Sequence, residues 1–167
     1  MKSKLKKQRQ DEQRRMKQLT RQVVIQELQQ YFKVQELVCP HTFSRLGDDS
    51  WMIFDTSFLH TLLVIRKDIL QVPLIANDYV FGGRNTQRGN RCNMCEIVKE
   101  KTTAYLSAHV LAKAIDVVSS RMTAEEMRVK IKEKKELLPY NIRIEKSVTW
   151  LHFDLYDMNV KIFEFKP

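Results

Sequence analysis

Two histidines and two aspartates in this sequence have the types and spacing of a metal site. His109 precedes Asp116 by seven residues, and Asp116 interrupts an otherwise apolar run. Much later, His152 and Asp154 alternate with apolar residues, which is typical of a strand with one polar face. An apolar strand seldom buries an aspartate without a partner. We therefore expect Asp116 to meet the polar face of the later strand.

Zinc is the metal that this set of side chains suits. The expected ligands are His109, Asp116 and His152. Two neutral imidazoles and one carboxylate fill three tetrahedral positions and leave the fourth for a water molecule, whose pKa falls to about 7. From spacing alone, an ordinary structural histidine at position 109 is the alternative.

The residues around these ligands resemble the D-Ala-D-Ala carboxypeptidase family, which shares its fold with hedgehog domains. The resemblance covers residues 30–157. It implies a zinc metallopeptidase, which would be a phage or bacterial hydrolase that degrades the cell wall. Its substrate would be a peptidoglycan stem peptide containing D-amino acids, cleaved as a carboxypeptidase or an endopeptidase. The family pattern S-x-H-x-x-G-x-A-x-D, followed by W-x-H, is matched by Ser107, His109, Ala114, Asp116, Trp150 and His152.

The sequence departs from the family at two positions, and one of them concerns the general base. Ala112 replaces a glycine, and Thr149 stands where the carboxypeptidases commonly have a glutamate. The resemblance to hedgehog-like members makes Glu145 the first candidate for the base, and Asp154 is the second because it shares a strand face with His152. A base must come within about 3 Å of the water that it deprotonates. An exposed surface carboxylate is the alternative for each.

Relatives also keep an arginine in the loop before the first ligand, where it steadies a substrate carbonyl or carboxylate. Arg84, Arg88 and Arg91 lie in that loop. We expect Arg88 to take this role, because a guanidinium stays charged and can grip a carboxylate through two hydrogen bonds. An ordinary exposed arginine is the alternative. Ser107 is expected to hold either the loop or a substrate carboxylate.

The three cysteines form a second candidate metal site. Cys92 and Cys95 make a C-x-x-C motif, and Cys39 is followed two residues later by His41. Three thiolates and one imidazole complete a closed tetrahedral set, so a second, structural zinc would pin the long loop to the segment before the second helix. Plain buried thiols are the alternative. His60 lies on an apolar helix and is expected to be a core histidine with satisfied hydrogen bonds rather than a ligand.

The order of predicted elements favours an α+β fold, in which a small antiparallel sheet packs with helices in the manner of hedgehog and D-Ala-D-Ala peptidase domains. A long basic N-terminal helix precedes it, since no glycine or proline interrupts residues 16–39. A second helix follows the capping residues Asp55 and Thr56. The remaining predicted elements are a strand at 72–76, a loop at 77–107, a strand at 114–119, a capped helix at 123–138 and strands at 142–146, 148–155 and 159–165.

Charge divides the chain into a basic helical arm, residues 1–25, and a zinc peptidase-like domain, residues 26–167. The arm holds a net charge of +7 of the total of +9. It is expected to contact a polyanion or a larger assembly, with nucleic acid as a secondary hypothesis and a solvated helix as the plainer one. No signal peptide or membrane span is evident, so we expect synthesis in the cytoplasm, as for a phage virion component. The rival function is a catalytically inactive docking domain of the same fold.

Overall fold

The computed structural model describes residues 20–156 and 158–167 and has an α+β fold, as predicted. A short π-helical segment, Ile65–Leu70, continues the helix Thr56–Val64. The helices are α1 Arg21–Leu28, α2 Val34–Leu37, α3 Pro40–Leu46, α4 Thr56–Val64, α5 Glu96–Lys99 and α6 Ala124–Glu133, with 3-10 segments at Gly47–Ile53, Tyr79–Phe81 and Lys135–Leu137. The strands are β1 Ala114–Val117, β2 Ile142–Glu145, β3 Leu151–Asp154 and β4 Ile162–Phe165.

The four strands form one mixed sheet in the order β1-β3-β2-β4. The central strand β3 runs antiparallel to both β1 and β2, whereas β4 runs parallel to β2. The prediction of an antiparallel sheet is therefore wrong at this edge. Because β3 already has a partner on each side, the chain after it cannot form a hairpin with it and instead reaches the outer edge of β2. Asp157, between the predicted strands at 148–155 and 159–165, lies outside the described residues.

The sheet separates an apolar core from a polar face. Ile115 and Val117 of β1 and Phe153 of β3 are buried in the core. Phe153 stacks on Phe58 of α4 with a centroid distance of 6.1 Å. Because successive side chains of a strand point to opposite faces, the residues between these apolar positions lie on the other side of the sheet. Asp116 and His152 are two of them.

The first described helix is much shorter than predicted. Thr20 caps it by accepting a hydrogen bond from the backbone N–H of Val23 at 3.4 Å, and the helix ends at Leu28. Val24 and Leu28 are buried in the core, and the chain turns at residues 29–31 directly after the helix. Residues 21–25 thus pack with the domain, although the sequence placed them in the arm. Residues 1–19, which carry the predicted basic arm, lie outside the described residues.

The second helix agrees with the prediction, but the strand expected after it does not form. Helix α4 begins at Thr56 after Asp55, and its predicted apolar face is buried. In the segment 72–76, Ile75 makes a single antiparallel bridge with Val118. Pro73 has no N–H to donate to a strand partner, which explains the missing strand.

The elements that carry the site agree well with the prediction. Strand β1 lies within the predicted 114–119 strand. Helix α6 begins after the predicted capping box, in which Thr123 donates its N–H to Glu126 at 2.7 Å. The loop 77–107 is largely irregular. Among residues 20–156 and 158–167, no helix has the length and apolar character needed to cross a membrane.

Candidate metal centres

The structure brings His109, Asp116 and His152 together on the polar side of the sheet. The register of β1 against β3 sets Asp116 directly opposite His152. Asp116 Oδ1 lies 2.7 Å from His152 Nδ1, and its Oδ2 lies 3.3 Å from His109 Nε2. All three side chains are buried, and their ligand atoms lie within 4.8 Å of one another. This group has the composition and compactness of a three-ligand metal site.

A tight turn before β1 places His109. The N–H of Lys113 donates to Ala108 O at 2.8 Å, and Ala112 has a positive φ of 54°. The position is therefore left-handed, and a residue with a Cβ there costs about 1–2 kcal/mol. The Ser107 hydroxyl accepts the N–H of Val110 at 3.4 Å. Ser107 thus holds the loop, which was one of its two expected roles.

Both histidines have their outer ring nitrogen occupied by an acceptor. His109 Nδ1 lies 2.8 Å from Gly89 O, and His152 Nε2 lies 3.0 Å from Asp154 Oδ2. A carbonyl or carboxylate oxygen accepts only from a protonated nitrogen, so in the neutral rings the lone pairs are on His109 Nε2 and His152 Nδ1. These are the two nitrogens that face Asp116. Metal-ligating histidines are typically oriented by outer hydrogen bonds of this kind.

Asp154 is fully engaged by its neighbours. It is 0% exposed, and its carboxylate accepts two hydrogen bonds from Arg143 at 2.8 Å and one from the Tyr156 N–H at 3.0 Å. The Arg143 guanidinium lies between the rings of Tyr156 and Phe165, at 4.5 and 4.7 Å from their centroids. A carboxylate with these partners and the His152 ring has little capacity left for taking a proton. Its geometry fits a residue that orients His152 better than a general base.

Protonation in the metal-free cluster follows from these contacts. Burial alone would raise the pKa of Asp116, but hydrogen bonds from His109 and His152 outweigh burial and hold it well below its usual range. Burial would lower the pKa of His152, yet its bonds to Asp116 and Asp154 raise it to about 9. Burial is likewise outweighed at Asp154, whose pKa is lowered by hydrogen bonds with His152 and Arg143. These shifts favour two ionised carboxylates beside a protonated His152 at neutral pH.

Glu145, the other candidate base, ends β2. It lies two residues after Arg143, so the two share the polar face of the sheet. Its backbone carbonyl accepts a long hydrogen bond from Arg128 at 3.5 Å. Within the part of the chain that the structure describes, its carboxylate has no hydrogen bond or ion pair. Of the two candidates for the general base, Glu145 is therefore the one whose carboxylate has more capacity to take a proton.

The loop arginine that reaches the cluster is Arg91, not the expected Arg88. Arg91 Nη2 lies 3.4 Å from Asp116 Oδ2, and its Nε donates to Gln87 O at 2.6 Å. Arg88 contributes its backbone, whose carbonyl accepts the N–H of Asp116 at 2.7 Å. Both arginines lie in an irregular loop without a period, so no sequence pattern could say which side chain points inward.

Sequence reasoning also missed Arg143, whose alternation with Ile142 and Ile144 was the available signal.

The second predicted group also assembles. Cys39, His41, Cys92 and Cys95 have ligand atoms within 4.8 Å of one another and could bind a metal ion. Cys95 Sγ lies 4.0 Å from Cys92 Sγ and 3.9 Å from His41 Nδ1. Two thiolates on a tetrahedral zinc are about 3.8 Å apart, given Zn–S bonds of about 2.3 Å. All three cysteines are free thiols.

Hydrogen bonds lower the pKa of the Cys39 thiol. Burial raises its pKa, but the hydroxyl and N–H of Thr42, together with the neighbouring cysteines, lower it to about 6. Burial raises the pKa of Cys95 instead. His60 lies apart from both groups, buried in α4 with its ring edge-on to Tyr140. It is a core histidine, but its Nε2 has no hydrogen-bond partner among the described residues, so the expectation of a satisfied side chain is wrong.

Comparison of the chain with models of protein families, with curated proteins and with solved structures found no match. The family resemblance described above therefore stays a prediction, carried by the motif residues. The interpretation of function rests on the geometry of the two clusters.

Proposed function

We propose that the chain is a zinc-dependent peptidase whose catalytic metal is held by His109 Nε2, one carboxylate oxygen of Asp116 and His152 Nδ1. One observation carries the proposal: both outer imidazole nitrogens are already bound by acceptors, so both inner lone pairs face the same carboxylate. A metal ion satisfies all three inner atoms at once. Without an ion, the cluster must keep a charged imidazolium buried between two carboxylates.

A zinc ion held by these three residues would supply Lewis-acid chemistry, and three protein ligands would leave its fourth tetrahedral position for water or substrate. Glu145 is the proposed base, which takes a proton from the attacking water and passes it to the leaving amine. Arg91 lies beside Asp116, and its guanidinium is suited to hold a substrate carbonyl or carboxylate through two hydrogen bonds. Asp154 and Gly89 O keep the two imidazoles in the required orientation.

The resemblance directs the proposal to peptidoglycan stem peptides containing D-amino acids, cleaved by a carboxypeptidase or an endopeptidase. A phage or bacterial cell-wall enzyme is the setting that this implies. The Cys39, His41, Cys92 and Cys95 group is proposed to hold a second zinc that is structural, because four protein ligands leave no position for water.

The second candidate function is an inactive docking domain of the same fold, for example in a phage particle. The observation that favours it is at Ala112, which occupies a left-handed position that the family gives to glycine. Thr149 in place of the usual glutamate points the same way. The two functions differ in one measurable respect, since the docking domain would bind zinc without hydrolysing peptides.

The test is metal analysis of the purified full chain, combined with a peptidoglycan digest. We expect two zinc equivalents, and His109→Ala and His152→Ala should each lose one equivalent and all hydrolysis. His60→Leu is the matched control, because it removes a buried histidine outside both clusters and should keep both ions. Full zinc content in both ligand variants would contradict the site. Two ions without hydrolysis of any wall peptide would favour the docking domain.

A further inference from the structure

We propose that the two metal centres are thermodynamically coupled through the run Gly89–Cys92, with Asn90 as the positioning residue between them. This inference rests on the proposed function, since it requires metal at both centres. It adds that the Cys/His centre sets the metal affinity of the His/Asp centre, so its ion does more than stabilise a loop.

One side of the run is fixed to the chain segment that leads into Cys39. The N–H of Asn90 donates to Leu37 O at 2.8 Å, and the N–H of Cys39 donates to Asn90 O at 3.1 Å. The two backbones approach so closely that a Cβ at Gly89 would lie 2.0 Å from Leu37 O. Only glycine fits there, and the run cannot shift without moving Cys39.

The other side of the run holds the His/Asp centre. Gly89 O binds His109 Nδ1, and the side-chain amide of Asn90 and the N–H of Arg91 both donate to His109 O at 3.2 Å. The Arg91 side chain reaches Asp116. Three consecutive residues therefore position both the ring and the backbone of one ligand and contact a second ligand.

Asn90 also connects to the Cys/His centre through its own side chain. Its Oδ1 accepts from the Thr42 hydroxyl at 3.2 Å, and the same hydroxyl lies 3.2 Å from Cys39 Sγ. Asn90 is only 6% exposed, so these bonds are shielded from water. The next residue but one, Cys92, belongs to the Cys/His centre itself. A single side chain thus hydrogen-bonds toward both centres.

The chain segment after the run explains why metal at one centre should raise the metal affinity of the other. After Cys92 the chain passes through exposed Asn93 and Met94 into α5, which has only four residues. Metal at the Cys/His centre would tie Cys92 and this weakly packed segment to Cys39. Because Cys92 ends the run, the ion would also hold Gly89 O in place before the second ion arrives. Outer contacts of this kind change metal affinity about 10- to 100-fold. Because coupling is reciprocal, each ion should raise the affinity for the other by the same factor.

The experiment is a cycle of zinc affinities, measured in the full chain by competition with a chromophoric chelator. His152→Ala reports the Cys/His centre alone, and the double variant Cys92→Ser with Cys95→Ser reports the His/Asp centre alone. We expect the wild-type two-site constant to exceed the product of these two single-site constants by about 10- to 100-fold. Repeating the cycle with Asn90→Ala should bring this factor close to one. Asn93→Ala, an exposed non-ligand in the same loop, should leave it unchanged.

A second measurement covers the case in which the double cysteine variant does not fold. In His152→Ala, one zinc equivalent added to the Cys/His centre should slow amide hydrogen exchange in the 107–113 turn, because that turn is bonded to the run. Unchanged exchange there, or a wild-type factor near one, would overturn the coupling while leaving two zinc sites and the proposed function intact. A wild type that binds only one zinc equivalent, together with a His152→Ala variant that still binds it, would overturn both the coupling and the proposed function.

Discussion

Replacing Asp154 by asparagine separates two roles that this carboxylate could have. Asp154 is buried and accepts hydrogen bonds from Arg143, His152 and the Tyr156 backbone. Asparagine keeps the shape but replaces one oxygen by an NH₂ group, which must face a donor of Arg143 or His152. If Asp154 orients His152, as the geometry indicates, the variant should bind zinc more weakly. If Asp154 is the general base, zinc binding should survive and only hydrolysis should be lost.

The expected magnitudes follow from these contacts. Loss of an outer-shell partner lowers metal affinity about 10- to 100-fold, which corresponds to about 1.4–2.8 kcal/mol. The variant also leaves the Arg143 guanidinium without its counter-ion. Breaking a buried ion pair in this way costs about 3–5 kcal/mol. Since Arg143 keeps some contact with water and two aromatic rings, we expect the lower value, about 3 kcal/mol of unfolding free energy.

Two assays measure these effects separately. Chelator competition gives the zinc dissociation constant of Asp154→Asn, and urea unfolding of the zinc-free protein gives its stability. Glu145→Gln is the matched control, because that carboxylate has no hydrogen bond or ion pair among residues 20–156 and 158–167. It should bind zinc within about twofold of the wild type and lose hydrolysis. Wild-type zinc affinity in Asp154→Asn, with hydrolysis abolished, would refute the orienting role and make Asp154 the base.

Three further predictions test the scaffold and the arm. Arg128→Met should lower the free energy of unfolding by about 3 kcal/mol, because the buried guanidinium donates to Trp150 O at 3.0 Å and Val148 O at 3.1 Å. Glu125→Ala is the control, because the Glu125 side chain is 65% exposed, and it should lower the free energy of unfolding by less than about 1 kcal/mol. Equal losses in urea unfolding would contradict this. Gln71→Gly should raise stability by about 1 kcal/mol, because Gln71 ends the π-helical segment at φ 61°; a lower melting temperature would count against this. Deleting residues 1–15 should spare folding and zinc content but abolish any salt-sensitive association with a polyanion, and loss of hydrolysis on a small soluble peptide would contradict that independence.

Local patterns were sufficient wherever the nearest neighbours in sequence decide the structure. Helix α6 follows from the Thr123–Glu126 capping box, whose bonds span three residues. Helix α4 follows from the period of its apolar side chains, and β1 from its apolar, β-branched run. The same reasoning singled out Asp116, because a lone carboxylate in such a strand needs a partner. The α+β class and the grouping of the candidate ligands could therefore be predicted.

Contacts between distant segments decided the strand order and the direction of the loop side chains. The sequence could not place β4 parallel to β2, because strand order depends on which sheet edge remains open after β1 and β3 have paired. It could not choose Arg91 over Arg88, since the direction of a loop side chain is set by backbone bonds to Asn77 and Asp116 far away in the chain.

For Asp154, the sequence determined the position of the side chain, and the tertiary structure determined its role. Strand alternation correctly put it on the face of His152, which the sequence alone determined. Its chemistry depended on Arg143, eleven residues earlier and on the neighbouring strand, which binds the carboxylate with both Nε and Nη2. A free carboxylate and a fully bonded one have the same sequence signature, because only the tertiary structure determines which donors surround the side chain.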